Sequence, residues 1–439
     1  MKKIALLSLL LVFLSSFAFA GTIQLPQTGQ TKCYDTAGTE IPCAGTRQDG
    51  DIQAGVAWPE PRFTIKADTT IEDNLTGLLW APDGNIMPTR DPGWDQDFFF
   101  TDTANDGKVK WQHALDYVTK LNSENYLGHA DWRLPNVNEL ESLINAGEVN
   151  PATWLNTQGF TNVQADYYWS STTYAGNSSC AWFVIMWNGD VSSTWKDWYL
   201  DILWTAYVWP VRAGQCGSLD HSVICLPKTG QTKCYDTAGT EIPCAGTGQD
   251  GEIQAGVAWP EPRFTNHGDG TMTDNFTGRM WTKDPILTFG QVEIMWSMAL
   301  QYVAGMNAGT YPNFGYTDWC LPNRKELHSL IDYSQYDLAL PSDYSSTFVY
   351  SISVWSSTTY AHEPDQAWIV DMGDGEVHER LKYFYRTMDG AYAWPVRAGQ
   401  VQPSTCSTWT DVISKYNAYV SGQVEWNDVI VCYNQYLTP

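Results

Sequence analysis

The chain contains the same segment twice. Residues 25–64 and 226–265 align without a gap and differ only at Gln27/Lys228, Arg47/Gly248 and Asp51/Glu252. Further along the two copies drift, but anchors persist in order. Asp73–Trp80 (DNLTGLLW) matches Asp274–Trp281 (DNFTGRMW), and Asp131–Ile144 (DWRLPNVNELESLI) matches Asp318–Ile331 (DWCLPNRKELHSLI). The motif WSSTTYA occurs at Trp169–Ala175 and at Trp355–Ala361, and WPVRAGQ closes both copies. Internal repetition outranks every other signal for architecture. Each copy is close to 200 residues, a size that suits one compact domain. The expectation is two tandem domains, 21–216 and 225–400, a linker at 217–224 and a tail at 401–439.

Each copy opens on LPxTG, as Leu25–Gly29 and again as Leu226–Gly230. This five-residue pattern is also the signal at which sortases attach proteins to a cell wall. Such a signal belongs near a C-terminus, before an apolar helix and basic residues, whereas here it begins a repeat. The reading is therefore structural.

Residues 1–20 have the form of a secretory signal. Lys2 and Lys3 precede the apolar run Ile4–Leu14, and Ala18-Phe19-Ala20 supplies a small-x-small cleavage site. Ten cysteines fit the oxidising compartment that this signal implies. Cys33 and Cys43 flank a short turn, Cys234 and Cys244 repeat the spacing, and both pairs are expected to be disulfides. Cys406 and Cys432 flank the tail segment and form a third expected pair. Cys216 and Cys225 bracket the linker and are candidates for each other, while Cys180 and Cys320 are left unassigned. With 25 basic and 49 acidic side chains, the formal charge is −24. Such a field disfavours nucleic acid and anionic glycans. Beyond the signal no stretch is long and apolar enough to span a membrane.

Periodicity gives the elements. Trp111, Ala114, Leu115, Val118 and Leu121 share one helical face. A second helix starts at Asn136, with Glu139 completing a capping box, and Asn323 and Glu326 repeat the device. Strand-like runs follow (YYWSSTTY, AWFVIMWNGDVSS, AYVWPVRAG), with Asn188-Gly189 as a hairpin turn. Two helices followed by an antiparallel sheet make an α+β domain. The tail has a small repeat of its own, Trp409–Val420 against Trp426–Leu437, read as a short helical hairpin.

These motifs together (TGQTKCYD, GQDGEIQAG, DGTMTDNFTGRMW, DWRLPNVNELESLI, YWSSTTYA and WPVRAG) resemble the Lcl C-terminal domain family, named from a bacterial collagen-like adhesin. The resemblance covers both copies and not the tail. It implies two tandem C-type-lectin-like domains, a secreted or surface-exposed protein, and binding of glycans or host surfaces. Cys320 stands where the first copy has Arg133, and the acidic charge argues against carrying over the adhesin's sulfated glycans.

Seven tryptophan pairs recur at matching positions and read as core: Trp58/Trp259, Trp80/Trp281, Trp111/Trp296, Trp132/Trp319, Trp169/Trp355, Trp182/Trp368 and Trp209/Trp394. Trp187, Trp195, Trp198 and Trp204 occur only in the first copy, interleaved with Asp190, Lys196, Asp197 and Asp201. The second copy has Tyr383 and Tyr385 in that region. Aromatic faces beside polar groups are what a sugar-stacking surface requires, so these six are the candidate ligand contacts. Strand residues burying one face are the plainer reading of the same pattern. The turns at 101–107, 266–275 and 371–376 offer carboxylates to calcium, but Asp-Gly is also common hairpin chemistry and no twelve-residue calcium loop is present. No cofactor is expected, with calcium the one ion kept in view. Glu363-Pro364-Asp365 resembles the sugar-selecting tripeptide of calcium-dependent lectins but is misplaced for it. The seven histidines are scattered, and His328 aligns with Glu141, so the copies put different chemistry there. Cys320 is the one candidate nucleophile.

The expected function is non-catalytic, adhesin-like binding of a glycan or surface polymer by a secreted, periplasmic or surface protein. A structural or protein-interaction module of the cell envelope is the alternative. An enzyme of the sulfatase-modifying kind, resting on Cys320, comes third.

Overall fold

The computed structural model describes residues 23–94, 105–199, 202–212, 224–285, 293–344, 352–383 and 390–397. The signal segment, the tail with Cys406 and Cys432, Cys216, Tyr385 and the side chain of Trp198 lie outside the described residues.

The fold is α+β, and each copy builds the same elements. In the first, α1 (Trp111–Ser123) buries the five periodic residues named above. Helix α2 (Val137–Ser142) opens with the expected capping box: Asn136 Oδ1 accepts from Glu139 N–H at 3.0 Å, and the Glu139 carboxylate accepts from Asn136 N–H at 2.9 Å. Strands β1 (Tyr167–Thr173), β2 (Cys180–Ile185) and β3 (Val191–Trp195) follow, with Gly189 at φ 98° in the turn between β2 and β3. The second copy repeats them as α3 (Trp296–Asn307), α4 (Arg324–His328, capped by Asn323), β4 (Ser353–Thr359), β5 (Gln366–Asp371) and β6 (Val377–Leu381). A four-stranded antiparallel sheet in each copy joins Phe63–Ile65, Ile71–Asp73, Leu79–Trp80 and Val211–Arg212, or their counterparts, so the closing WPVRAG motif returns beside the DNxTG turn.

All the shared tryptophan pairs except Trp58/Trp259 are buried. Most keep their indole N–H bonded to a backbone carbonyl, and identically in both copies: Trp111 to Ser170 and Trp296 to Ser356, Trp209 to Ala81 and Trp394 to Thr282. Trp58 and Trp259 are half-buried instead, with the Arg62 and Arg263 guanidinium carbons 4.2 and 4.8 Å from their ring centroids.

The copies are repeats of sequence but not two separate bodies. The described residues through Arg397 form one compact unit. Its central sheet has six strands in the order β4-β5-β6-β3-β2-β1, half from each copy, all antiparallel. The halves meet where Val191 pairs with Val377, which are equivalent residues of the repeat. Equivalent residues facing each other across an antiparallel bridge place a local twofold axis at that point.

The near-identical opening segments straddle this axis. Leu25, Pro26 and Thr28 are buried. On one side Thr28 O accepts from Ala146 N–H and Gln30 Nε2 donates to Ala146 O, both within the first copy. On the other side Gln30 Oε1 accepts from Thr359 N–H at 2.8 Å, and Asn323 Nδ2 donates to Ala54 O at 3.0 Å. The second segment mirrors this. Gln231 Nε2 donates both to Tyr333 O in its own copy and to Thr173 O in the first, and Asn136 Nδ2 donates to Ala255 O. Residues that must fit two surfaces at once have little room to drift. The glycine of LPxTG is fixed in the same way: Gly29 and Gly230 sit at φ 90° and 91°, and a Cβ there would collide with Asn145 or Asp332.

Candidate binding surfaces

The six candidate ligand contacts do not gather at one place. Trp187 lies in the β2–β3 turn, half-buried, packed edge-on against His362 of the second copy with ring centroids 4.9 Å apart. It belongs to the contact between copies. Trp195 is at the far end of β3, half-buried and opposite Cys180 on β2. Trp198 follows in a two-residue strand that pairs with Ile202–Leu203, so the chain returns past it to the half-buried Trp204. Trp195, Trp198 and Trp204 therefore share one hairpin-like stretch. Tyr383, 37% exposed, lies just beyond β6. Since β3 and β6 meet only at Val191–Val377 and run apart from there, the Trp195 and Leu381 ends are separated by roughly 25 Å at ~3.3 Å per residue. The aromatic stretches of the two copies are thus two surfaces, one on each side of the axis.

Charge is concentrated at the contact between the copies. Helices α2 and α4 meet at the axis, and the buried Glu141 faces three bases of the second copy. Lys325 Nζ donates to Glu141 Oε2 at 2.7 Å and to Glu141 O at 2.8 Å. Arg324 Nη2 lies 3.3 Å from Glu141 Oε1, and His328 Nδ1 lies 3.6 Å from Oε2. Burial works to raise the Glu141 carboxyl, but Lys325, His328 and Arg324 together hold it below its ordinary value. Burial pushes His328 down to about 4, so its ring is neutral near pH 7 and meets the Tyr333 hydroxyl at 2.6 Å. The one signal in the sequence was the mismatch of Glu141 with His328 at aligned positions. That they touch is a consequence of the twofold axis.

Two further constellations are duplicated residue for residue. Asp49 Oδ2 accepts from Thr28 Oγ1 at 2.6 Å and from Thr358 Oγ1 at 2.7 Å, and Asp250 Oδ2 accepts from Thr229 at 2.6 Å and Thr172 at 2.8 Å. Burial pushes both carboxyls up to about 6, against the threonine hydroxyls that lower them. Lys196 Nζ donates to Thr173 Oγ1 and Lys382 Nζ to Thr359 Oγ1, each at 2.9 Å, with the ammonium 4.2 Å from the Trp111 centroid and 4.3 Å from that of Trp296. Burial pushes both lysines down to about 7. These groups hold the opening segments to the opposite copy; none has an open face for a ligand.

The acidic turns are largely occupied by their own backbones. Asp106, Asp269, Asp371 and Asp374 each accept an N–H from two residues on. Among the described residues no three His, Cys, Asp or Glu side chains converge as a metal-holding group. In the Glu363-Pro364-Asp365 tripeptide, Pro364 O accepts from the buried Lys382 at 2.8 Å. The expected disulfides Cys33–Cys43 and Cys234–Cys244 are formed, and Cys225 is also disulfide-bonded. Cys180 and Cys320 are free thiols, and burial pushes both up to about 11.

The family model of the Lcl C-terminal domain matches residues 69–212 and 270–397, more than half of the chain. The opening segments lie outside both matches. No curated protein and no solved structure matches the chain.

Proposed function

Because the chain belongs to the Lcl C-terminal domain family, we propose that it is a non-catalytic, adhesin-like binding protein acting outside the cytoplasm, with a glycan or surface polymer as ligand. Family membership carries this reading. The disulfides fit an oxidising compartment, and among the described residues no helix is long and apolar enough to cross a membrane. A C-type-lectin-like fold for each copy belongs to the same proposal.

The ligand surfaces of this proposal are the Trp195–Trp204 stretch and the region of Tyr383. Both copies lie in one compact unit, so two such sites are held at a fixed spacing. Avidity then depends on how the ligand repeats, not on linker length. A glycan array probed with residues 21–439, with calcium and with chelator, tests the reading. Binding that Trp195→Ala or Tyr383→Ala weakens supports it, and loss in chelator adds calcium to the site. No binding in either buffer overturns it.

A protein-interaction module is the second reading. Ile52 and Ile253, equivalent residues of the opening segments, are 40% and 42% exposed, so each copy presents the same apolar side chain to solvent. For catalysis through Cys320 the geometry offers little, since a thiol pushed up to about 11 is a poor nucleophile near neutral pH.

A further inference from the structure

The contacts between the two copies fall into two sets. At the flanks several bonds are made twice with the same residue types: Thr28–Asp49–Thr358 matches Thr229–Asp250–Thr172, and Asn323 to Ala54 matches Asn136 to Ala255. Flanks of this kind would accept any pairing of copies, like with like included. At the centre the residues differ. Glu141 of α2 occupies the position of His328 on α4, and Asn138 and Val137 occupy those of Lys325 and Arg324. All four charged or titratable groups at the centre are at least nine-tenths buried.

We infer that this centre makes the contact selective, so that the face of the first copy accepts only the face of the second, in the same molecule or in another. Pairing the second copy with itself would bring two Arg324 and two Lys325 together around the axis without the Glu141 that both contact here. Pairing the first with itself would bury two Glu141 carboxylates without Lys325, Arg324 or His328 to face them. A buried charge without its partner costs several kcal/mol. Discrimination thus comes from repulsion in the wrong pairs as well as from attraction in the right one. Contacts between molecules through this face run head to tail, first copy to second.

The test uses the full mature chain carrying Cys216→Ser and Cys225→Ser, so that no disulfide spans the cut, with a protease site within residues 217–222 cleaved under native conditions. Two preparations of different isotopic mass are mixed and followed by native mass spectrometry. The expected result is that the cut halves stay associated and exchange only as first-with-second pairs, with like pairs below about one in ten. Glu141→Lys is expected to release the halves, and Lys325→Glu added to Glu141→Lys to bring first-with-second pairing back. Should Glu141→Lys fail to fold, Glu141→Gln is read instead, with a several-fold rise in like pairs or free halves expected. Like pairs forming at their statistical share, halves separating as monomers with Glu141 intact, or pairing indifferent to both Glu141 variants would each overturn the inference.

Discussion

At the residue scale, the buried ionisable groups that join the copies titrate in opposite directions. Asp49 and Asp250 have folded pKa values near 6, above the ordinary carboxylate value of 3.8. Their contribution to stability is full below pH 3.8 and is lost as pH rises through 6. Asp49→Asn is expected to shrink the fall in stability between pH 4 and 6, and Asp49→Asn with Asp250→Asn to shrink it further. Urea unfolding midpoints at pH 4, 5 and 6 measure this. Lys196 and Lys382 have folded values near 7, below the ordinary 10.5. Their contribution is full above pH 10.5 and is lost as pH falls through 7. Lys382→Met keeps the apolar stem over Trp296 and removes the titrating amine. It is expected to flatten the rise in thermal stability between pH 7 and 10, seen by circular dichroism melts.

At the element scale, Asn136 and Asn323 each do two things. The side-chain oxygen caps a short helix, and the amide nitrogen donates to the opening segment of the other copy. Helix α4 has only five residues, so propensity contributes little and the cap and packing decide whether it forms. Asn323→Ser retains an N-cap oxygen and loses the bridge to Ala54 O, an expected cost of about 1 kcal/mol. Asn323→Ala loses both, with an expected cost of about 2 kcal/mol. Equilibrium urea unfolding separates the two values. If Ser and Ala cost the same, the cap contributes nothing and the prediction fails.

At the scale of the whole molecule, each opening segment supports the copy it does not belong to. Removing residues 23–58 is therefore expected to speed hydrogen exchange at Ser357–Thr359 on β4, where Gln30 and Asp49 dock, and much less at Ser171–Thr173 on β1, where the second segment remains. Peptide-level exchange mass spectrometry reads both stretches in one experiment, and equal protection of the two would contradict the docking described here. The same contacts predict that the described unit unfolds in one transition, with no separate melting of the two copies.

The sequence by itself determined the repeat, the α+β elements, both capping boxes, the two short-loop disulfides and the buried tryptophans. Each of these depends on residues near one another in the chain or on a period that one element imposes. Trp58 and Trp259 escaped because a half-buried ring over a guanidinium leaves the same trace in sequence as a core ring. Tertiary structure alone decided that the copies share one sheet, that Trp187 is spent between them, and that Glu141 meets Lys325 and His328. Those outcomes depend on a twofold axis relating residues 175 or more positions apart, and no local pattern encodes where such an axis falls. The mismatch at aligned positions 141 and 328 was visible in the sequence. Its meaning required knowing that the two positions face each other, because only contact turns a difference in charge into an attraction.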